Sequence, residues 1–244
     1  MKIAVMGGTG LIGSQVVKIL QRSGHEAVPF SPSTGVDLLT GQGLPEALNG
    51  ADVVVNLTNS PTFDDASPAF FQTTMDNLLG AAAKAGVGHA VILSIVGAEL
   101  VPDLVYYQAK VLQEDILKAG PVPYSIVRAT QFFEFVDAVL SWTSDENTVR
   151  LPATPVQPMA SADVAQAVAD VTMGAPLQGT RNVAGPEVFP LDELGKITLA
   201  ARGDSRTVVT DDSAGMFAAV QGDVLIAREG AVIAPTAYRD WLKR

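Results

Sequence analysis

The sequence predicts an α/β fold built on a doubly wound parallel sheet, and three observations carry that prediction. An apolar segment, Ile3-Ala4-Val5-Met6, runs into glycines at 7, 10 and 13 and then into an amphipathic stretch. Short apolar runs alternate with helix-period stretches over the first two-thirds of the chain. Within residues 52–57, Val53-Val54-Val55 is continuous, as in a parallel strand covered on both faces.

The elements follow in order. Residues 3–6 read as the first strand, and 14–23 as a helix with Val16, Val17, Ile19 and Leu20 inward and Gly24 as its C-terminal stop. Residues 27–30 form a second strand, 36–38 a short extended piece, and Pro45 opens a brief helix over Leu44–Leu48. Residues 52–57 are a strand. In 69–85, Phe71, Met75, Leu78, Leu79 and Ala82 recur at helical spacing. Residues 90–95 are a strand, 107–119 a helix and 124–128 a strand. After about residue 130 aromatic residues cluster and prolines thicken. A helix over 161–173, a strand over 181–184 and helices over 191–201 and 213–220 complete the reading. The chain reads as one domain, residues 1–244, with 130–160 and 185–244 contributing a small substrate-side lobe.

Bulk properties narrow the function. A chain of 244 residues with 48% hydrophobic and 17% charged residues can bury a full core. A net charge of −10 argues against nucleic acid, which needs clustered Lys and Arg. The absence of cysteine rules out disulfides and thiolate metal sites, and fits a cytoplasmic protein. His25 and His89 each enter a strand far from the other polar clusters, so both read as structural and no metal site is expected. Glycines at 7, 8, 10 and 13 break the opening apolar stretch, which argues against a signal peptide. No run reaches the roughly 18 apolar residues of a membrane span. The expected partner is a small molecule, with no nucleic acid and no membrane; the oligomeric state is open.

Two constellations carry chemistry. A strand, a glycine turn and a helix in that order form a pyrophosphate cradle. The turn lets the backbone approach the ligand, and the helix presents its free N–H groups and positive dipole end. Gly7, Thr9, Gly10, Leu11, Ile12 and Gly13 make up this dinucleotide site. The second constellation is Tyr106-Tyr107-Gln108-Ala109-Lys110, with Ser94 at the end of the preceding strand. Tyr106 and Lys110 share one helix face. A nearby ammonium would lower the phenol's pKa and make Tyr106 an acid or base near neutrality. Ser94, at a strand's carboxyl end, would face the ligand crevice and orient a substrate oxygen. Tyr107 is the rival acid–base residue.

With these motifs in place, the chain resembles an atypical, NmrA-like short-chain dehydrogenase/reductase along nearly its whole length. Gly7-x-x-Gly10-x-x-Gly13 resembles the glycine spacing of atypical and extended members. Ser94, Tyr106 and Lys110 match the Ser–Tyr–Lys triad. Asp76-Asn77-Leu78-Leu79-Gly80 resembles the central helix, and Val127-Arg128-Ala129-Thr130-Gln131-Phe132 the segment after a late strand. The resemblance implies a Rossmann-type sheet of about seven strands and hydride transfer to or from a nicotinamide. It implies that Lys110 also binds the nicotinamide ribose. It places Asp37 and Leu38 beside the adenine, and Leu57, Thr58 and Asn59 along the cofactor.

The second strand ends Phe30-Ser31-Pro32-Ser33-Thr34, with no Asp or Glu to accept from a ribose 2′-hydroxyl. Ser31 and Ser33, with Thr34, are suited to donate to a 2′-phosphate, and Arg22 at the helix end to assist. NADP is therefore the expected cofactor, with NAD the alternative. Phe132 and Phe133 are the expected lining of an apolar substrate pocket. Arg128 is expected to anchor its strand end, and Asp64-Asp65 and Asp211-Asp212 to be solvated caps.

The expected activity is oxidoreduction of a small apolar carbonyl, enone or quinone, with Tyr106 as acid–base. The alternative is an NADP(H)-sensing binding protein without turnover, as many NmrA-like relatives are. A transient oxidation, as in epimerases and dehydratases, ranks lower.

Overall fold

The computed structural model describes residues 1–243. In chain order the elements are β1 (Lys2–Met6), α1 (Leu11–Arg22), β2 (Glu26–Phe30), α2 (Leu44–Leu48), β3 (Val53–Asn56), α3 (Ser67–Ala85) and β4 (His89–Ile95). There follow α4 (Val105–Ala119), β5 (Tyr124–Ala129), α5 (Val136–Trp142), β6 (Thr148–Leu151), β7 (Pro155–Val156) and α6 (Ser161–Met173). The last are β8 (Gly179–Ala184), β9 (Phe189–Pro190), α7 (Leu191–Arg202), β10 (Thr207–Thr210), β11 (Val232–Ile233) and α8 (Tyr238–Trp241).

Among the described residues, seven strands form one sheet in the order β11-β8-β5-β4-β3-β1-β2. β1 pairs in parallel with β2 and β3, β3 with β4, and β11 with β8. The winding reverses between β1 and β3. In such sheets the ligand crevice opens outside the carboxyl ends of the strands at that reversal. Here those ends are Met6 and Asn56.

The chain divides into two compact units. The first comprises Met1–Ile95, Val105–Arg128 and Val164–Arg181. Its β1 residues Ile3 to Met6 are at most 2% exposed, which explains why they are apolar on both faces. The predicted stripe of α3 is buried as Phe71, Met75, Leu78, Leu79 and Ala82. Its Met75, Leu78, Leu79 and Ala82 pack in one core with Leu44 and Leu48 of α2, Leu117 of α4 and Ile126 of β5. Each such side chain contributes about 1.5–3 kcal/mol by leaving water. Gly24 and Gly86 follow α1 and α3 at φ +82° and +74°, left-handed positions that favour glycine. His89 is buried, its Nε2 paired with Ser125 Oγ at 2.8 Å.

The second unit comprises Val96–Leu104, Ala129–Asp163 and the chain from Asn182 onward. Its core centres on Tyr238, fully buried, whose hydroxyl pairs with Thr198 Oγ1 at 2.7 Å. β6 and β10 pair in parallel, and β7 and β9 antiparallel.

The boundaries depart from expectation at informative places. α1 begins at Leu11, not 14, so Gly13 lies within its first turn. α4 begins at Val105, so Tyr106 is helical. Residues 36–38 form no strand. Asp37 makes one antiparallel bridge to Gln42, and its Oδ1 caps the Leu39 N–H at 2.8 Å. The helix expected over 213–220 is a single 3-10 turn, Met216–Ala219, because Gly215 precedes it at φ +65° and ψ −175°. Strands β6, β7, β9, β10 and β11, of two to four residues each, are too short to show alternation. Among the described residues, no helix is long and apolar enough to cross a membrane.

Candidate functional site

The glycine turn is built for close backbone approach, and each glycine has a different reason to be there. Gly7 turns the chain at φ +73°, and a Cβ on it would lie 2.8 Å from the Leu57 carbonyl carbon. A Cβ on Gly13 would lie 2.1 Å from the Gly7 oxygen, so this position sets how closely α1 packs on the turn. Gly10 differs. Its Cβ would meet only the Gly7 oxygen, at 3.4 Å, and it caps α1 in an ordinary extended conformation. Within the protein, then, Gly7 and Gly13 are required by packing, whereas Gly10 borders open space that a ligand can fill. The first helical bond of α1 is Ser14 N–H to the Gly10 carbonyl, at 3.0 Å. The amides of Leu11, Ile12 and Gly13 therefore precede the i→i−4 ladder and point out of the N-terminus, with Leu11 itself 53% exposed. This cradle fits a pyrophosphate.

The carboxyl end of β3 lies against the turn. The Leu57 N–H donates to the Met6 carbonyl at 2.9 Å. Asn56, 2% exposed, then folds the chain: its Oδ1 accepts from Thr58 N–H at 3.0 Å and from Thr58 Oγ1 at 2.7 Å. One residue further, Asn59 Oδ1 accepts from the Tyr106 hydroxyl. A continuous run thus links Gly7, Leu57, Asn59 and Tyr106, all in the first unit. Tyr107 is 4% exposed and faces the interior of the helix packing, so it is Tyr106 whose hydroxyl meets the β3 loop.

Lys110 corrects one expectation. Its Nζ does not serve the Tyr106 phenol. It donates to the Leu93 carbonyl at 2.8 Å and to Gln113 Oε1, and lies 4.7 Å from the centre of the Phe71 ring. Burial without a contacting carboxylate lowers Lys110 to about 7, with Glu114 acting weakly in the opposite direction. Burial likewise pushes Tyr106 up to about 12, only partly offset by Asn59. The phenol is therefore a stable proton donor at neutral pH, and not the lowered acid expected from helix spacing alone. The Tyr106 ring packs edge-on to Phe63 at 4.7 Å and against Phe71 at 6.2 Å.

Ser94 also departs from expectation. It is 3% exposed, and its buried Oγ has no partner in good hydrogen-bonding geometry. It lies close enough to Glu114 to favour that carboxylate. The reason is the neighbouring charge. Glu114 is fully buried and receives a forked bond from Arg128, Nε to Oε1 at 2.8 Å and Nη2 to Oε2 at 2.7 Å. Burial is the largest single influence on Glu114 and opposes its charge, yet the Arg128 and Ser94 hydrogen bonds and the charges of Arg128 and Lys118 together hold the carboxyl below its ordinary value. Ser94 thus stands at the carboxyl end of β4, with its oxygen buried beside Glu114. Arg128 anchors its strand end, as expected.

The remaining predicted positions are distributed as follows. The turn binds the end of β2, with Gly7 and Gly8 N–H both donating to the Phe30 carbonyl at 2.9 and 3.2 Å. Ser31, half-buried, and Ser33, exposed, are therefore held next to the cradle with their hydroxyls 2.8 Å apart. Thr9 is exposed on the turn itself. Asp37 caps its own turn, and Leu38, 6% exposed, lies in the core while its carbonyl accepts from Asn77 Nδ2 at 2.9 Å. In the second unit, Phe133 is 1% exposed and packs on Tyr238 at 4.8 Å and Trp241 at 5.4 Å. Phe133 is thus part of this unit's packed core. Phe132 is half-buried.

Sequence reasoning missed Asn56, Phe71, Gln113 and Glu114. Gln113 and Glu114 stand three and four residues after Lys110, the spacing that places partners beside a helical lysine, and so were findable. Asn56 and Phe71 read as strand and core, and only the fold brings them to the site.

A family model described as NAD(P)H-binding matches residues 7–173. The photosystem II assembly factor Ycf39 of Synechocystis sp. (strain ATCC 27184 / PCC 6803 / Kazusa) is 25% identical over 235 residues, covering 85% of this chain and 70% of that protein. Cinnamoyl-CoA reductase 1 of Petunia hybrida is 35% identical over 121 residues, 39% of this chain and 35% of that protein. Among solved structures, the UDP-glucose 4-epimerase of Thermus thermophilus in complex with NAD matches with a TM-score of 0.69 at 19% identity, over 86% of each chain. That likeness concerns the fold.

Proposed function

The chain belongs to the NAD(P)H-binding family of NmrA-like, atypical short-chain dehydrogenase/reductase proteins, a Rossmann-type oxidoreductase and epimerase group, and from that premise we propose that it is an NADP-preferring reductase of small apolar carbonyl, enone or quinone compounds. One observation carries the reading: the run from Gly7 through Leu57 to Asn59 and the Tyr106 hydroxyl joins the cofactor cradle to a proton donor.

The nicotinamide, when bound, supplies the hydride. The protein's own residues do the rest. Leu11, Ile12 and Gly13 amides hold the pyrophosphate, and Leu57, Thr58 and Asn59 border the path towards Tyr106. Tyr106, protonated at neutral pH because burial raises it, gives its proton to the substrate oxygen. Lys110, one turn along α4, would be the residue to hold the nicotinamide ribose, as the resemblance implies. Ser31 and Ser33, beside the cradle, would donate to a 2′-phosphate, with no carboxylate between Phe30 and Gly35 to repel it.

Tyr106→Phe tests this. Cofactor affinity should stay within about twofold and turnover should fall by about 10²–10⁴. Unchanged turnover removes Tyr106 from the role. For the cofactor, Ser33→Glu should weaken NADPH binding at least about tenfold and spare NADH, from the like charge it adds.

A second reading has its own support. Lys110 is bound to Leu93 and Gln113 and not to Tyr106, so the phenol lacks the neighbouring ammonium that would activate it. A relative named as an assembly factor points the same way. Tight NADPH binding with no oxidation across a panel of aldehydes, ketones and quinones would favour this sensor.

A further inference from the structure

The geometry points to Asn59 as a positioning residue for Tyr106, its carboxamide accepting from the phenol before proton transfer and turning to donate to the phenolate afterwards. This rests on the reading of Tyr106 as the acid–base group and deepens it.

A phenol that gives up a proton changes its needs. Before transfer its O–H seeks an acceptor; afterwards the charged oxygen seeks donors. A carboxylate offers only acceptors and an ammonium only donors, while an amide offers one of each on a single planar group. Asn59 Oδ1 already accepts from the Tyr106 hydroxyl. Its Nδ2 is brought to the same point by rotation about the terminal torsion, which is broad for Asn. Asn59 is exposed, so no packed neighbours lock that rotation, whereas its backbone is held by the Asn56–Thr58 bonds just before it. Lys110, the other donor on the face, is committed to Leu93 and Gln113.

In the reduction direction the Tyr106 O–H bond breaks and its proton joins the carbonyl oxygen, while hydride from reduced nicotinamide adds to the carbonyl carbon. The phenolate oxygen gains the Nδ2–H bond. In the oxidation direction the phenolate takes the alcohol's proton, the hydride leaves carbon, and the amide turns back. No other reactant is needed.

The test reads ionisation without turnover. A difluorotyrosine placed at position 106, acidic enough to titrate where the protein is folded, is followed by ¹⁹F NMR in the whole chain. Asn59→Asp keeps the shape and only the acceptors, and should raise the midpoint by about one unit or more. Asn59→Ala removes both functions and should raise it less, by about half a unit, through loss of the donor. In activity, Asn59→Asp should lower kcat/KM at least about tenfold and alike in both directions, because the two directions share one transition state in which the phenolate forms or is consumed. Midpoints within about 0.3 unit across the series, or an unchanged kcat/KM, overturn the role of Asn59 even where Tyr106→Phe is inactive. An active Tyr106→Phe overturns the acid–base reading, and the turning amide with it.

Discussion

The Lys110 ammonium lies 4.7 Å from the centre of the Phe71 ring, with the Leu93 carbonyl and Gln113 as its oxygen acceptors. Neutral groups thus hold this charge in a buried place, and burial lowers it to about 7. The unfolded value is about 10.4. Between the two the unfolded chain binds the extra proton, so folding stability from this group rises with pH, by at most about 1.4 kcal/mol per unit. Below about 7 both states carry the proton and the contribution is flat at its low level. Lys110→Met should remove that slope. Urea unfolding of both proteins from pH 6 to 9.5 measures it; a difference between them that stays constant with pH contradicts the prediction.

The two later glycines of the turn should fail in different ways. Gly13→Ala puts a Cβ 2.1 Å from the Gly7 oxygen and forces α1 off the turn, so both the unfolding midpoint and cofactor binding should drop. Gly10→Ala meets nothing closer than 3.4 Å and keeps an allowed backbone. It should leave the midpoint within about 2 °C while weakening NADPH at least about tenfold, because the methyl enters the ligand's space. Calorimetry and binding titration on the same samples separate the cases.

Breaking the Glu114–Arg128 pair should be severe. Arg128→Met leaves Glu114, fully buried, without its forked partner, at about 3–5 kcal/mol. Adding Glu114→Gln to Arg128→Met should recover a large part. Because Glu114 is held below its ordinary value, its contribution is present above the unfolded carboxyl pKa and fades as pH falls through the folded one. The wild-type acid limb should therefore flatten in the double variant. Chemical denaturation between pH 3 and 7 reads both effects.

Ser94→Ala should leave turnover within about threefold, since its oxygen is buried beside Glu114 and bonded to no substrate-facing group. A loss comparable with that of Tyr106→Phe would restore it to the site.

Phe132 and Phe133 are neighbours with opposite expectations. Phe133→Ala opens a cavity against Tyr238 and Trp241 and should destabilise by about 3–5 kcal/mol. Phe132→Ala, at a half-buried position, should cost under about 1.5 kcal/mol; if it lines the substrate pocket it shifts KM more than kcat. Thermal unfolding with steady-state kinetics on a panel of carbonyls checks the pair.

Local pattern was enough for the frame: the strand–glycine–helix opening, the parallel strands, the α3 stripe and the Tyr106–Lys110 spacing. These are local patterns, set by backbone freedom and by periodicity against one core, and they survive folding unchanged. Helix starts were less legible, because glycine in a first turn reads as a break until β1 is seen packed beside it. Only the tertiary structure decided what the charged and polar groups do. Spacing placed Lys110 and Tyr106 on one face, but burial and the arrival of Phe71, Leu93 and Gln113 turned the ammonium away. Position put Ser94 at a strand end, where it stands, and the fold then buried its oxygen beside the Glu114–Arg128 pair, which joins a helix and a strand across 14 residues. The partner that Tyr106 did find, Asn59, stands 47 residues earlier in the chain. Hydrogen bonds and desolvation depend on which groups meet in space, and no local pattern encodes that meeting.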